Sequence, residues 1–360
     1  MNTRRHSDFV PALLGLFIAL TPLGAANGGE CKIAKVASIQ VDMESGRPMV
    51  RGSLNGQDID ILIDTGAALT LVTQSAAMRA GLQPTNVDGL KLIGVGGEIQ
   101  VKSTTVKELT IGDFVIRDRR WYVVGDAKTD YGSLGMIVGG DLLANFDVEF
   151  DLAEHKILWW QPKDCEKSPL AYWNQDYMLA ELEHSENKID TVVLLNGKKV
   201  RAEIDTGAAT TVVDTDAASR AGFREDAPNV EQVGNTGGLG TGRSIKQHIA
   251  IFDTFDMGDL SVKNARIRVA DLNYHSREAE IGSKIKQESE GFPEMLIGRD
   301  FLAANRVYIA NSQGYIYMTY NGGQIFQTAA SPDNDTEAET GNGTEAPAAV
   351  DSGPEPASQP

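Results

Sequence analysis

The chain has 360 residues, a formal net charge of −17, 41% hydrophobic residues and two cysteines. At roughly 100–200 residues per domain, that length allows two domains with tails. Asp and Glu outnumber Lys and Arg by 50 to 33, which argues against a nucleic-acid partner, since phosphates select basic surfaces.

In chain order, the first element is a targeting segment. Arg4 and Arg5 precede an apolar run over residues 9–20, followed by Pro22 and the small residues Gly24-Ala25-Ala26. This is the order of a cleavable secretory signal peptide, assigned to residues 1–26. The run is shorter than the roughly 20 residues that span a bilayer, so no stable membrane span is expected after cleavage. An uncleaved anchor is the alternative. The expected location is secreted or periplasmic. Cys31 and Cys165 bracket the first half of the mature chain, and an oxidising compartment favours a disulfide between them over two unpaired thiols.

Residues 59–63, 121–124, 156–160, 191–195 and 307–318 are rich in β-branched and aromatic residues and read as strands. Few stretches carry a long helical period. The Trp159-Trp160 pair reads as core or interface packing. After Gln327 the chain is rich in Ala, Pro, Ser, Thr and Gly, with acidic residues and no Lys or Arg. It lacks the apolar residues for a core, so residues 328–360 are expected to be a disordered acidic tail.

The tetrapeptide Asp64-Thr65-Gly66-Ala67 recurs as Asp205-Thr206-Gly207-Ala208, 141 residues later. Upstream, Asn55-Gly56 and Asn196-Gly197 each begin nine residues before the Asp and signal a hairpin turn. Downstream, residues 73–81 match 214–222, each reading as a short helix with Thr73 or Asp214 as N-cap and Gly81 or Gly222 past its end. Gly96-Gly97 and Gly237-Gly238 keep the same offset. Beyond them, residues 137–141 match 296–300, so the second copy carries extra residues, mostly within 272–294. This is an internal duplication. It divides the chain into a first domain over residues 31–165, a linker over 166–178 and a second domain over 179–327.

One Asp-Thr-Gly is as often an Asx turn that ends a strand. Two, each closing an apolar strand, supply a carboxylate pair. Carboxylates held about 3 Å apart cannot both ionise and share one proton. The ionised member then takes a proton from water, and the protonated one donates to the developing oxyanion or the leaving amine. Gly66 and Gly207 let the backbone turn close to the site.

The ordered set of Asp-Thr-Gly-Ala, a Gly-rich segment and two apolar residues before Gly-x-Asp, present twice, resembles the retropepsin-like aspartic proteases. The likeness covers about residues 38–160 and 179–318 and is greatest to exported bacterial members with a tandem arrangement. It implies a mainly β fold, with two tandem retropepsin-like closed β domains forming a bilobal pepsin-like molecule. It also implies an aspartic endopeptidase with Asp64 and Asp205 as the catalytic pair, acting on polypeptide as a monomer without cofactor or metal. Thr65 and Thr206 would hold the two loops together, with Gly66 and Gly207 in support. Val138-Gly139 and Ile297-Gly298 would pack behind them. Gly94, Gly96 and Gly97, and Gly234, Gly237 and Gly238, would lie in flap hairpins over the substrate, without the flap Tyr of the pepsin type. Asp141 and Asp300 are expected to cap short helices. Ala67 and Ala208 stand where the pepsin type has Ser or Thr.

Two rivals stand beside this reading: an inactive peptide-binding pseudo-protease of the same fold, and pairing of each repeat with its counterpart in another chain. Both Asp-Thr-Gly motifs are retained, which favours turnover; the short connection over residues 162–177 favours pairing within one chain. The Gly-rich stretch at 237–244 approximates a phosphate loop but leads into a strand rather than a helix. The five histidines show no metal-ligand spacing.

Overall fold

The computed structural model describes residues 30–43, 46–94, 97–125, 132–183, 187–228, 230–236, 245–272 and 293–326. Residues 1–26, expected to be a targeting segment, residues 328–360, expected to be an acidic tail, and most of the extra residues of the second copy lie outside these. The first half runs β1 (Lys32–Gln40), β2 (Met49–Leu54), β3 (Gln57–Ile63), β4 (Leu71–Thr73), α1 (Gln74–Arg79), β5 (Thr85–Gly94), β6 (Gly97–Ile111), β7 (Phe114–Val124), β8 (Leu134–Val138), α2 (Gly140–Leu143), β9 (Asp147–Asp151) and β10 (Lys156–Lys163). The second half repeats the order with β11 (Met178–Glu181), β12 (Asp190–Leu195), β13 (Lys198–Ile204), β14 (Val212–Asp214), α3 (Thr215–Arg220), β15 (Glu231–Thr236), β16 (Ile245–Met257), β17 (Leu260–Ala270), β18 (Met295–Ile297), α4 (Arg299–Ala304), β19 (Asn305–Ala310) and β20 (Tyr315–Tyr320).

In the first half the strands pair in the order β2-β3-β8-β4-β7-β6, and β6 returns to β2, closing a six-stranded barrel. The second half closes in the same way through β12-β13-β18-β14-β17-β16. β5 and β15 extend outside the two barrels, each paired with the strand that comes after it. These are the two closed β domains that the resemblance implies.

Local chemistry sets the registers. Asn55 and Gly56 have φ of 51° and 81°, and Asn196 and Gly197 have 47° and 72°. Positive φ at both turn positions makes Asn-Gly the preferred pair for such a hairpin. The turn pairs Leu54 with Gln57, and the two-residue alternation then sends Ile59, Ile61 and Ile63 into the barrel core and Leu62 to the opposite face. Helices α1 and α3 start where the sequence predicts: Thr73 accepts from Ala76 N–H and Asp214 from Asp216 N–H. The apolar run over residues 307–318 is not one strand. Its centre is the turn at residues 311–314, where Gly314 has φ of 75°, and the flanks are the hairpin β19–β20.

A six-stranded antiparallel sheet, β1-β10-β9-β19-β20-β11, draws on both halves. Its seam pairs Phe150 with Val307 and Val148 with Ile309. Beside the seam, the buried Glu149 accepts from Arg306 Nε at 2.7 Å, from Trp160 Nε1 at 2.8 Å and from the Tyr172 hydroxyl at 2.9 Å. Removing one side of such a buried pair typically costs about 3–5 kcal/mol, because the other charge is left in protein. The connection between the halves is packed rather than free: Leu170 is buried, and Trp173 Nε1 donates to Thr319 Oγ1 at 3.0 Å. On the sheet's other face Trp159 lies in the core, its ring centroid 5.1 Å from Phe146 and 5.0 Å from Phe114. Among the described residues no helix is long and apolar enough to cross a membrane.

Cys31 and Cys165 are joined as a disulfide between the start of β1 and the chain just after β10, with Cα atoms 4.5 Å apart. Reduction, or Cys165→Ser, should lower the unfolding free energy by about 2–5 kcal/mol, because it frees a 134-residue loop in the unfolded chain. Urea unfolding with and without dithiothreitol measures the change, and coincident curves would deny the bridge any part in stability.

Candidate active site

Each Asp-Thr-Gly loop leaves the end of a core strand and stays tied to the neighbouring strand. Asp64 N–H donates to Val138 O and Asp205 N–H to Ile297 O, both at 2.9 Å. The next segment clamps each loop from behind: Gly140 N–H donates to Ala67 O at 2.7 Å, and Arg299 N–H to Ala208 O at 2.9 Å. A Cβ on Gly139 would lie 2.5 Å from the Ala67 oxygen, and one on Gly298 would lie 2.5 Å from the Thr210 carbonyl carbon. No real contact is that short, so glycine is needed at both.

Thr65 and Thr206 fasten the loops to each other. Thr65 N–H donates to Thr206 Oγ1 at 3.0 Å, and Thr206 N–H to Thr65 Oγ1 at 3.1 Å. Each hydroxyl then donates across the molecule, Thr65 to Ile204 O at 2.5 Å and Thr206 to Ile63 O at 2.6 Å. Valine has the same shape but would leave a carbonyl and an N–H without partners, at about 1–3 kcal/mol for each buried group.

A further pair is not evident from sequence motifs alone. Thr70 Oγ1 accepts from Gly139 N–H at 3.1 Å and donates to Asp141 Oδ1 at 2.5 Å, which also takes Thr70 N–H at 2.8 Å. Thr211 repeats this with Gly298 and Asp300 at 3.0, 2.7 and 2.8 Å. Asp141 and Asp300 are therefore not the helix caps that their positions suggest. The N-cap positions belong to Gly139 and Gly298, and neither makes a side-chain cap bond. The carboxylates instead bind the chain emerging from each Asp-Thr-Gly loop. The signal is present in the sequence, since Thr70 and Thr211 keep the 141-residue offset.

The two loops bring Asp64 and Asp205 together. Their carboxyls come close enough for the charge of one to act on the other, and each lies against the opposite glycine. A Cβ on Gly66 would sit 2.5 Å from Asp205 Cγ, and one on Gly207 would sit 2.6 Å from an Asp64 oxygen. Asp64 accepts from Gly66 N–H at 3.0 Å; Asp205 accepts from Gly207 at 2.8 Å and from Ala208 at 3.1 Å. Both residues keep part of their surface open to solvent. Even so, surrounding protein strips water from the carboxyls, and that desolvation raises both above the usual carboxylate range. The charge of Asp205 raises Asp64 further, whereas the N–H donors and Arg47 hold Asp205 lower. Glu203, two residues before Asp205, is buried; desolvation pushes it up to about 7 against the pull of Lys188.

The sequence pattern of the aspartyl protease family matches residues 50–138 and 191–301, together more than half of the chain. The chain belongs to the aspartyl protease family. A protein from Sinorhizobium sp., described as an uncharacterized protein in the cobV 5′ region, is 30% identical over 95 residues. That stretch covers 26% of this chain and 41% of the relative, so the chain spans less than half of the relative's length.

In this aspartyl protease family member, the hairpin β5–β6 reaches past its barrel. β6 pairs with β7 only as far as Val101, and the next four residues pair with β5 alone, ending with Gly94 opposite Gly97. Gly96, Gly237 and Gly238 lie outside the described residues. Gly234 is not at a tip: it has φ of 101° and sits inside β15, where the register with β16 shifts between Gln232 and Asn235.

Holding two carboxyls this close costs stability in one direction of pH. Their folded-state values lie above the unfolded ones, so the folded chain keeps protons that the unfolded chain has shed. That contribution to stability is complete below about pH 4 and is lost as pH rises through the folded values. Asn cannot ionise. Asp64→Asn should therefore melt a few degrees above the wild type at pH 7, and the gap should close toward pH 4. A constant gap across thermal melts from pH 4 to 8 would show that the carboxyl does not carry this penalty.

Proposed function

We propose that the chain is an exported endopeptidase that hydrolyses peptide bonds with one water held between Asp64 and Asp205. The observation that carries this reading is the carboxyl pair, each member packed against the glycine of the other's loop and supplied by two copies of one loop within a single chain. The threonine lattice holds the pair before substrate arrives, so the reaction need not spend binding energy on arranging it.

The roles of the two carboxyls derive from their donors. Asp205 accepts two backbone N–H groups and Asp64 one, and hydrogen bonds to the charged form favour it. With one proton on the pair, Asp205 is the carboxylate and Asp64 the acid. Asp205 takes a proton from the water as its oxygen attacks the peptide carbonyl carbon, and Asp64 gives its proton to the carbonyl oxygen. The resulting gem-diol collapses, its C–N bond breaks, and a proton passes to the leaving nitrogen. Both loops come from one chain, so a monomer suffices. The apolar run over residues 9–20 and the Cys31–Cys165 bridge support an exported location.

Asp64→Asn and Asp205→Asn should each lower kcat/KM by about 10²–10⁴-fold, and the double variant should be little worse, because the pair acts as one unit. Wild-type protein that binds peptides without cleaving any would instead fit a non-catalytic peptide binder. Full activity in Asp205→Asn would move the dyad to a pair of chains.

The pH optimum depends on the same donors. No side-chain hydroxyl at Ala67 or Ala208 stabilises the ionised pair, and desolvation raises both carboxyls. Activity needs one proton on the pair, so its window should lie at mildly acidic to near-neutral pH. Ala67→Ser with Ala208→Thr should move the kcat/KM profile toward acid. An unmoved profile would assign the pKa control to other groups.

A further inference from the structure

The two barrels differ where the duplication leads one to expect likeness. In the first half a row of residues crosses the sheet in register: Met49, Leu62, Ile137, Leu71 and Tyr122. All five belong to one apolar cluster that also takes in Ala67 and Leu69 of the Asp64 loop. The same register in the second half reads Asp190, Glu203, Leu296, Val212 and Arg268. Three of the five apolar side chains have become charged.

Leu62 and Glu203 each lie two residues before an Asp-Thr-Gly, on the strand face turned away from the barrel core. Leu62 is in contact with its own catalytic loop through the cluster. Glu203 is close enough to the dyad for its charge to act on Asp64, and that of Asp205 acts on it in turn. An extended peptide with its scissile bond between the carboxyls has one side chain on either side of that bond. The two loops are copies of each other, and Leu62 and Glu203 hold equivalent places beside them.

The acidic end of the second row is incompletely matched. Glu203 Oε2 accepts from Lys188 Nζ at 2.9 Å. Glu203 Oε1 and Asp190 Oδ1 are buried and have no hydrogen-bond partner among the described residues. Asp190 stands opposite Glu203 in the register, while Arg268 stands at the far end of the row with Nη1 donating to Gln247 Oε1 at 2.9 Å. Buried acceptors without donors are costly, and a ligand that brings donors recovers that cost.

We propose that these faces are the two side-chain subsites flanking the scissile bond: the Leu62 face takes an apolar residue, and the Glu203 face takes Lys or Arg, recognised by Glu203 and Asp190. This rests on the endopeptidase reading and adds a substrate class to it. The enzyme would cut between an apolar and a basic residue, and Glu203 would determine specificity without touching the reacting atoms.

The test is cleavage-site profiling of the full mature chain on a mixed peptide library. It is paired with kcat/KM for two matched peptides, one apolar–Lys and one apolar–apolar at the cut bond. Wild type should prefer the first. Glu203→Leu, which copies the first-half residue, should lower the ratio of the two kcat/KM values by about 10-fold or more. The ratio does not depend on how much of the variant is folded, and the isosteric Glu203→Gln serves if Glu203→Leu cannot be purified. Turnover with no enrichment of Lys or Arg beside the cut, or an equal ratio in wild type and variants, overturns the subsite assignment and leaves the protease reading standing. No turnover of any peptide by the wild type overturns both.

Discussion

Two carboxyl groups crowded into one desolvated space repel each other as soon as both ionise, and the architecture around them is what keeps them there. The restraint is not a single bond. It is a ring of four hydrogen bonds in which each threonine uses its N–H and its hydroxyl on the opposite half. Behind the ring, each loop is pinned by a Gly-x-Asp segment whose carboxylate binds the threonine just beyond the loop. The glycines are small because the opposite carboxyl occupies the space where a Cβ would be.

Features set by short-range chemistry are legible in the sequence. Asn-Gly names its own turn, the helix caps Thr73 and Asp214 name the starts of α1 and α3, and the repeated Asp-Thr-Gly-Ala names the loops. Features set by distant partners are not. Asp141 reads as a cap because it sits at the start of a helix, yet its partner is Thr70, which the barrel brings to it. The run over residues 307–318 reads as one strand because its turn, Asn311-Ser312-Gln313-Gly314, is short and its flanks are uniformly apolar. The six-stranded sheet is invisible at that level, since nothing local in Phe150 announces Val307 as its neighbour.

Glu203 is hidden for another reason. In a buried strand a lone acid reads as a solvent-facing position in the alternation. Only the register against Leu62 reveals that its counterpart is apolar and that this face is enclosed. Duplication explains how such a contrast can exist. A symmetric pair of chains must use the same residue on both sides of its centre. A tandem chain can alter one side alone, and this one has altered the row beside Asp205 while leaving both loops alike.

The shared sheet also bears on timing. β9 has an open edge until β19 arrives, and β19 is close to the last of the described elements. Pairings between such distant segments form late, because loop closure must come before any contact rewards it. A chain that is still being synthesised therefore carries Asp64 in a barrel without a partner. The two carboxyls meet only once the second half has folded and its Thr206 has engaged Thr65, so the pair is among the last features of the fold to assemble.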